Sequence, residues 1–259
     1  MLPRLPCQSL VIAVLLGLQG GCQAINPPPK ETYRVLRVLR HDPQAFTQGL
    51  VFLDGRLFES TGQYGHSSIR ELDPTTGAVL RSRDLDKKYF GEGLAAVQGH
   101  LVQLTWKAGI AFAIDPASFD VTHTYPYDGE GWGLCSDGSA VFMSNGTDTL
   151  YQRNPQSFAI EKRIPVTEAG FPVRRLNELE CIGQTILANV FESDKIVRID
   201  KATGKVVSEI DGYGLAGSGD QPDNASAVLN GIAYDSAKDT YFITGKLWPS
   251  LLEITLRDQ

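Results

Sequence analysis

The sequence predicts an all-β fold, a five-bladed β-propeller with four antiparallel strands in each blade. Three features lead there. Beyond the N-terminal region helical periodicity is nearly absent, and short β-branched and aromatic runs are broken by Gly, Asp-Gly and Asp-Pro. A small-residue word with Leu or Ile recurs: Gln48-Gly49-Leu50, Glu92-Gly93-Leu94, Trp132-Gly133-Leu134, Glu178-Leu179-Glu180 and Asn230-Gly231-Ile232. Successive copies lie roughly 40 to 52 residues apart, near the length of a propeller blade and beyond what a β-sandwich explains. Finally, a strand left over at the start of the domain matches one missing at its end.

Taken in order, residues 1–24 read as an export signal. Arg4 supplies a positive n-region, and Leu10 to Leu18 is an apolar run too short to span a bilayer with ease. Two endings compete, lipidation at Cys22 and cleavage after Ala24. Residues 25–30, with Pro27-Pro28-Pro29, form a stiff spacer. Residues 31–259 are then one exported domain: periplasmic, envelope-associated or secreted. Its first strand is 32–40. Second strands of the five units are expected at 57–61, 101–107, 141–145, 186–191 and 241–246, and third and fourth strands at 68–80, 111–121, 150–160 and 196–207. The Asp73-Pro-x-x-Gly77 and Asp200-Lys-x-x-Gly204 turns join strands whose apolar residues alternate. The fifth unit stops after its third strand, 251–256. Strand 32–40 supplies the fourth, closes the ring and removes the terminal edge. Residues 212–227, rich in Gly, Asp and Ser, read as an inter-blade loop, with a lid over the channel mouth as the alternative.

Composition excludes several classes. A 42% hydrophobic content suits a large core, and a net charge of −6 without a Lys/Arg stripe argues against a nucleic-acid surface. The four His are scattered, and no transition-metal spacing, P-loop, nucleophile elbow or dinucleotide fingerprint is present. Export permits a bond between Cys135 and Cys181, but two buried free thiols on inner strands are the favoured reading.

In a propeller, equivalent positions of the repeats converge on the axis. The residues at the start of the first strands are Gln48, Glu92, Trp132, Asn177 with Glu178, and Asn230. Near the ends of the second strands come Glu59, Trp106-Lys107, Asn145, Asn189 with Phe191, and Lys246 with Trp248. Charged and amide groups cluster near an axis only when paired, hydrated or used. Aromatics beside them give the usual make-up of a ligand site. Singly, each residue has a plainer explanation: a core Trp, a rim Lys, a turn Asn, or for Glu59 a cross-strand pair with Arg70. The conjunction favours function, and Glu92, between Gly91 and Gly93, is the natural proton-transfer group.

The words Ala45-Phe-Thr-Gln-Gly-Leu50, Phe58-Glu-Ser-Thr-Gly62, Phe90-Gly-Glu-Gly-Leu94, Leu104-Thr-Trp-Lys107, Gly131-Trp-Gly-Leu134, Leu176-Asn-Glu-Leu-Glu180, Leu229-Asn-Gly-Ile-Ala233 and Thr244-Gly-Lys-x-Trp-Pro249 resemble the plant and bacterial type of glutaminyl-peptide cyclotransferase. The resemblance spans the mature chain. It implies a five-bladed propeller that converts N-terminal glutamine of peptides or proteins to pyroglutamate, releasing ammonia, with no catalytic zinc or other required cofactor. It casts Glu92 as general acid/base, Phe46, Gln48, Phe90, Trp106 and Trp132 as pocket residues, and Asn177 and Lys246 as groups that position or polarise the substrate. At Phe191 the family pattern has Trp; the apolar wall survives and an indole N–H is lost. The substrate's own amine attacks its side-chain amide, so no protein nucleophile is needed, and one carboxylate can carry the proton. Amide, ammonium or indole donors would serve the carbonyl oxygen. Inner-strand carbonyls also suit a structural Ca²⁺ in the channel. The expected protein is a monomer that meets a membrane only through a lipid at Cys22. Two other readings are weighed: a non-catalytic envelope propeller that binds peptides, and a Ca²⁺-dependent lactonase-like hydrolase using Glu92, Glu178, Glu180, Asn177 and Asn230.

Overall fold

The computed structural model describes residues 26–215 and 224–257. The export signal, Cys22 and part of the 212–227 loop lie outside the described residues. Among those described there are strands and no helix, as the alternating patterns require. After β1 (Lys30–Arg40), the first unit holds β2 (Thr47–Leu53), β3 (Arg56–Thr61), β4 (Ser68–Leu72) and β5 (Val79–Asp84). The second holds β6 (Gly91–Val97), β7 (His100–Thr105), β8 (Ile110–Ile114) and β9 (Val121–Pro126). The third holds β10 (Leu134–Ser136), β11 (Val141–Met143), β12 (Thr149–Arg153) and β13 (Ile160–Pro165). A small hairpin, β14 (Thr167–Glu168) and β15 (Phe171–Pro172), precedes the fourth unit: β16 (Leu176–Ile182), β17 (Thr185–Val190), β18 (Lys195–Asp200) and β19 (Val206–Asp211). The fifth has β20 (Leu229–Asp235), β21 (Thr240–Gly245) and β22 (Ser250–Arg257).

Units one to three are separate four-stranded antiparallel sheets. As expected, β1 lies antiparallel to β22 and is the fourth strand of the last unit. The sequence did not foretell what its first residues do. Lys30 and Glu31 pair in parallel with Glu209 and Ile210 of β19, merging units four and five into one eight-stranded sheet. Glu31 holds this seam. Its carboxylate takes two hydrogen bonds from Arg198, at 2.6 and 2.7 Å, and a third from Ser208 Oγ. Bidentate charge-assisted bonds of this kind fix geometry as well as adding stability.

The first strands carry the inner contacts. β2 packs against β20 and β6, β6 against β10, β10 against β16, and β16 against β20. Small residues permit this. A Cβ on Gly93 would lie 2.6 Å from Leu134 N, and one on Gly133 only 1.9 Å from Asn177 O. In the fourth unit Glu178 occupies the slot where the other units have Gly. Its carboxylate instead accepts backbone N–H groups from two other units, Leu50 at 3.3 Å and Ile232 at 2.9 Å. Pairing between first and second strands slips at Thr47/Gly49, Gly91/Leu94, Leu176/Leu179 and Leu229/Ile232. A bulge of this type re-aims the side chain it skips. The skipped residues include Gln48, Glu92, Asn177 and Asn230.

Two expectations are corrected. Cys135 and Cys181 are not free thiols: they form a disulfide across units three and four, with Cα atoms 5.4 Å apart inside a shared apolar cluster. The second strands are also shorter than expected. They stop at Thr105, Met143, Val190 and Gly245, so Trp106, Phe191 and Lys246 sit one residue beyond a strand end. The expected Glu59–Arg70 pair is present but long, at 3.8 Å. Glu59 is held chiefly by His41 Nε2 at 2.9 Å and Thr47 Oγ1 at 2.7 Å. Trp248 is core, with its indole donating to Ala227 O.

Candidate active site

The skipped residues at the first-strand bulges and the residues just past the second strands meet at one end of the inner strands. There they line a cavity of about 240 Å³. Its wall is made of Phe46, Gln48, Phe90, Glu92, Trp106, Trp132, Asn177, Phe191 and Lys246, so all nine residues singled out in the sequence come together. They divide by depth. Gln48, Glu92, Asn177 and Lys246 are buried, whereas Phe46, Phe90, Trp106, Trp132 and Phe191 are half-buried. The result is a polar floor under an aromatic collar.

The collar is a chain of ring contacts. Phe90 lies 6.1 Å from Phe46, 5.5 Å from Trp106 and 5.4 Å from Tyr64, and Trp132 packs edge-on against Phe191 at 5.5 Å. Exposed Tyr64 extends the collar outward. Glycines let the rings settle against backbone: a Cβ on Gly62 would come 2.3 Å from the Phe90 ring, and one on Gly146 would come 2.7 Å from Trp132.

On the floor, Gln48 Nε2 donates to Glu92 Oε1 at 3.0 Å. Burial drives the Glu92 pKa well above the usual carboxylate range; Lys246 opposes the shift and the negative charge of Glu130 adds to it. The Lys246 ammonium lies 4.9 Å from the ring centroids of both Phe46 and Phe191, a cation between two π faces. Burial lowers its pKa to about 8, with Glu92 working the other way. The side-chain oxygen Oδ1 of Asn177 is buried without a partner. Asn230 and Asn189 are half committed, Asn230 Nδ2 to Thr47 O at 3.0 Å and Asn189 Oδ1 to Gly231 N at 3.1 Å, while Asn230 Oδ1 and Asn189 Nδ2 are also buried without a partner.

One residue of the site escaped sequence reasoning. Glu130 Oε2 accepts both indole N–H groups of the collar, from Trp106 at 2.8 Å and Trp132 at 3.0 Å. The indoles are therefore spent on Glu130 and are not free donors for a substrate carbonyl, contrary to one expectation. The clue was available. Gly129-Glu130-Gly131 repeats the Gly91-Glu92-Gly93 word. Among the described residues no group of three or more His, Cys, Asp or Glu is placed to hold a metal ion, so Glu92, Glu178 and Glu180 do not form the carboxylate cage considered from sequence.

The fold and the site define a class: an all-β enzyme with a buried carboxyl group, its pKa raised by burial, in a small aromatic pocket. The sequence model of the glutamine cyclotransferase family matches residues 9–256, and the chain belongs to that family. A glutaminyl-peptide cyclotransferase from Arabidopsis thaliana is 43% identical over 223 residues, spanning 84% of this chain and 69% of the relative. The crystal structure of Myxococcus xanthus glutaminyl cyclase superposes with a TM-score of 0.83 at 38% identity, over 90% of this chain and 99% of that one. The WD40 repeats of RRP9 share the fold alone, with a TM-score of 0.52 at 11% identity over 90% and 99% of the two chains.

Proposed function

We propose that the protein is a cyclotransferase that converts the N-terminal glutamine of peptides and proteins to pyroglutamate and ammonia. The observation that carries this reading is Glu92: a buried carboxyl with a raised pKa, touched by one amide donor and walled by aromatics. The aromatic collar holds the glutamine side chain curled so that its α-amine approaches its own amide carbon, which is proximity catalysis. As the amine nitrogen bonds to that carbon, charge develops on the carbonyl oxygen. The Lys246 ammonium and the Asn177 amide stabilise it. Glu92 then passes a proton from one carboxyl oxygen to the departing nitrogen and takes the proton of the attacking amine on the other. Ammonia leaves, the lactam closes and Glu92 ends as it began. Gln48 holds the carboxyl in line. Phe46, Phe90, Trp106, Trp132 and Phe191 keep water from the reacting atoms. The reaction uses no external nucleophile, electron carrier or group carrier, so this reading calls for no cofactor.

The same reading takes the fold as a five-bladed propeller, its ring closed by β1. Five four-stranded units and a cycle of first-strand contacts support it. So do hydrogen bonds at each junction, among them Ser60 Oγ to Glu92 O, Gly93 N to Trp132 O, Ser144 Oγ to Asn177 O, Gly231 N to Asn189 Oδ1 and Asn230 Nδ2 to Thr47 O. An exported monomer fits the N-terminal sequence and the disulfide.

The test is ammonia release from Gln-initiated peptides by wild type and Glu92→Gln, with and without a strong chelator. Wild type should be active in both conditions, and Glu92→Gln should fold normally and lose nearly all turnover. A Glu92→Gln enzyme with near-wild-type kcat removes Glu92 from the mechanism. Inactive wild type removes the function.

A further inference from the structure

Glu130 is the feature that the chemistry above leaves unused. It sits on the loop between β9 and β10, in Gly129-Glu130-Gly131, with its side chain partly open to solvent. A lone carboxylate there would ordinarily be solvated. This one is also engaged by the protein: Oε2 is shared by the two indole N–H groups, and Oε1 faces Lys107 Nζ at 3.6 Å. Lys107 in turn lies 3.9 Å above the Trp106 ring. One short segment thus ties both tryptophans, which come from different units, to a single oxygen.

We propose that Glu130 is a positioning residue for this site, fixing Trp106 and Trp132 as walls of the pocket and supplying the fixed negative charge at its rim. The proposal rests on the cyclotransferase reading. The geometry gives it two separable parts. An indole ring without its N–H partner is free to rotate about χ1 and χ2, and a half-buried N–H left unpaired favours turning toward water. The wall would then lose the shape that curls the substrate. The charge acts differently. Partial burial pulls Glu130 toward the neutral form, but the Trp132 and Trp106 donors and Lys107 outweigh it and hold the carboxyl below its usual range, so it stays ionised. From there it repels charge on Glu92. The other groups around Glu92 are Gln48 from the first unit, Lys246 from the fifth, Asn177 from the fourth, and Tyr127, which precedes Glu130 on the same loop and donates to Thr105 O. Glu130 and Lys246 are the ones that bring formal charge.

Two substitutions separate the parts. Glu130→Gln keeps an acceptor for the indoles and removes the charge. Losing a nearby negative charge makes proton loss easier for Glu92 and Lys246 alike, so the alkaline limb of kcat should move to lower pH while KM for a Gln peptide stays within about twofold. Glu130→Ala removes both; KM should rise about tenfold, a shift of ~1.4 kcal/mol, and intrinsic tryptophan emission should move to longer wavelength as the indoles meet water. An unmoved alkaline limb in Glu130→Gln, or wild-type KM and emission in Glu130→Ala, overturns the proposal. The emission readout needs no turnover. If wild type itself is inactive on Gln peptides, the functional reading has failed, while the indole clamp still stands or falls by emission.

Discussion

Replacing Lys246 by Met should make the protein more stable and much less active. The side chain is buried, its ammonium flanked by Phe46 and Phe191 at 4.9 Å, and its pKa is lowered to about 8. In the unfolded chain it would titrate near 10.4. The difference, about 2.4 units at ~1.36 kcal/mol each, means that keeping this lysine charged in the fold costs about 3 kcal/mol at neutral pH. Between pH 8 and 10.4 Lys246 binds more protons in the unfolded state than in the folded one, so its contribution to stability rises with pH across that window. Met has similar reach and no charge. Lys246→Met should therefore gain roughly 6–12 °C in Tm at pH 7, and this advantage over wild type should shrink from pH 8 to 10.4. Glu92 does not become a new liability, because losing the cation pushes it further toward its neutral form. Activity moves the other way: losing one preorganised donor to a developing oxyanion costs about 10²–10³ in kcat. Thermal melts across the pH series and ammonia release on the same preparation measure both. Loss of stability at pH 7, or retention of more than about a tenth of kcat, would refute the assignment of Lys246 as a strained functional cation.

Reduction of the Cys135–Cys181 bond, which closes a span of 46 residues, should cost about 4 kcal/mol through the unfolded chain's entropy. Melts of wild type with a reductant should then match those of the Cys135→Ala/Cys181→Ala protein, roughly 8–16 °C below the oxidised form; no difference would mean that the bond is not formed in solution. Phe191→Trp should strengthen the cation–π contact with Lys246, by about 0.5–1 kcal/mol. Its expected mark is an alkaline limb of the rate profile raised above the wild-type position, with KM lowered about two- to fivefold. An unchanged limb would show that Lys246 does not set it.

The sequence made the floor of this site legible because repetition fixes geometry. Gln48, Glu92, Asn177 and Asn230 are copies of one position, and the bulges that aim them inward recur at that position. Trp106, Phe191 and Lys246 were found by the same logic, though placed inside strands that stop one residue short of them. What was missed occurs once and breaks the repeat. Glu130 lies on a connecting loop, and its role depends on two indoles converging from different units. The Glu31 seam joins strands 167 residues apart at Arg198, with no local pattern to announce it. The disulfide needed a distance between first strands of neighbouring units that spacing alone does not supply, even though both cysteines follow the same repeated word.

Two units carry a buried glutamate on the first strand, at neighbouring positions of the repeat, and only one of the two opens on the cavity. Glu178 is as buried as Glu92, and burial raises its pKa in the same direction. Both of its oxygens, however, are taken by backbone N–H groups of other units, so it serves as a tie between first strands. Glu92 receives a single protein hydrogen bond on its carboxyl among the described residues, from Gln48. The asparagines sort the same way. Asn230 and Asn189 each commit a side-chain atom to neighbouring backbone, whereas the Asn177 side chain has no protein partner among the described residues. Lys246 Nζ is held by ring faces rather than by acceptors. A carboxyl can accept several hydrogen bonds, an amide can give two and accept two, and an ammonium can give three. Native interiors leave such capacity unfilled at a cost. On the floor of this cavity three groups leave it unfilled together, within reach of one small ligand: Glu92, Asn177 and Lys246. Buried atoms without a partner also occur in the scaffold, at Glu59, Gln103, Arg153, Asn189 and Asn230, so what separates the site is that its unfilled groups line one cavity.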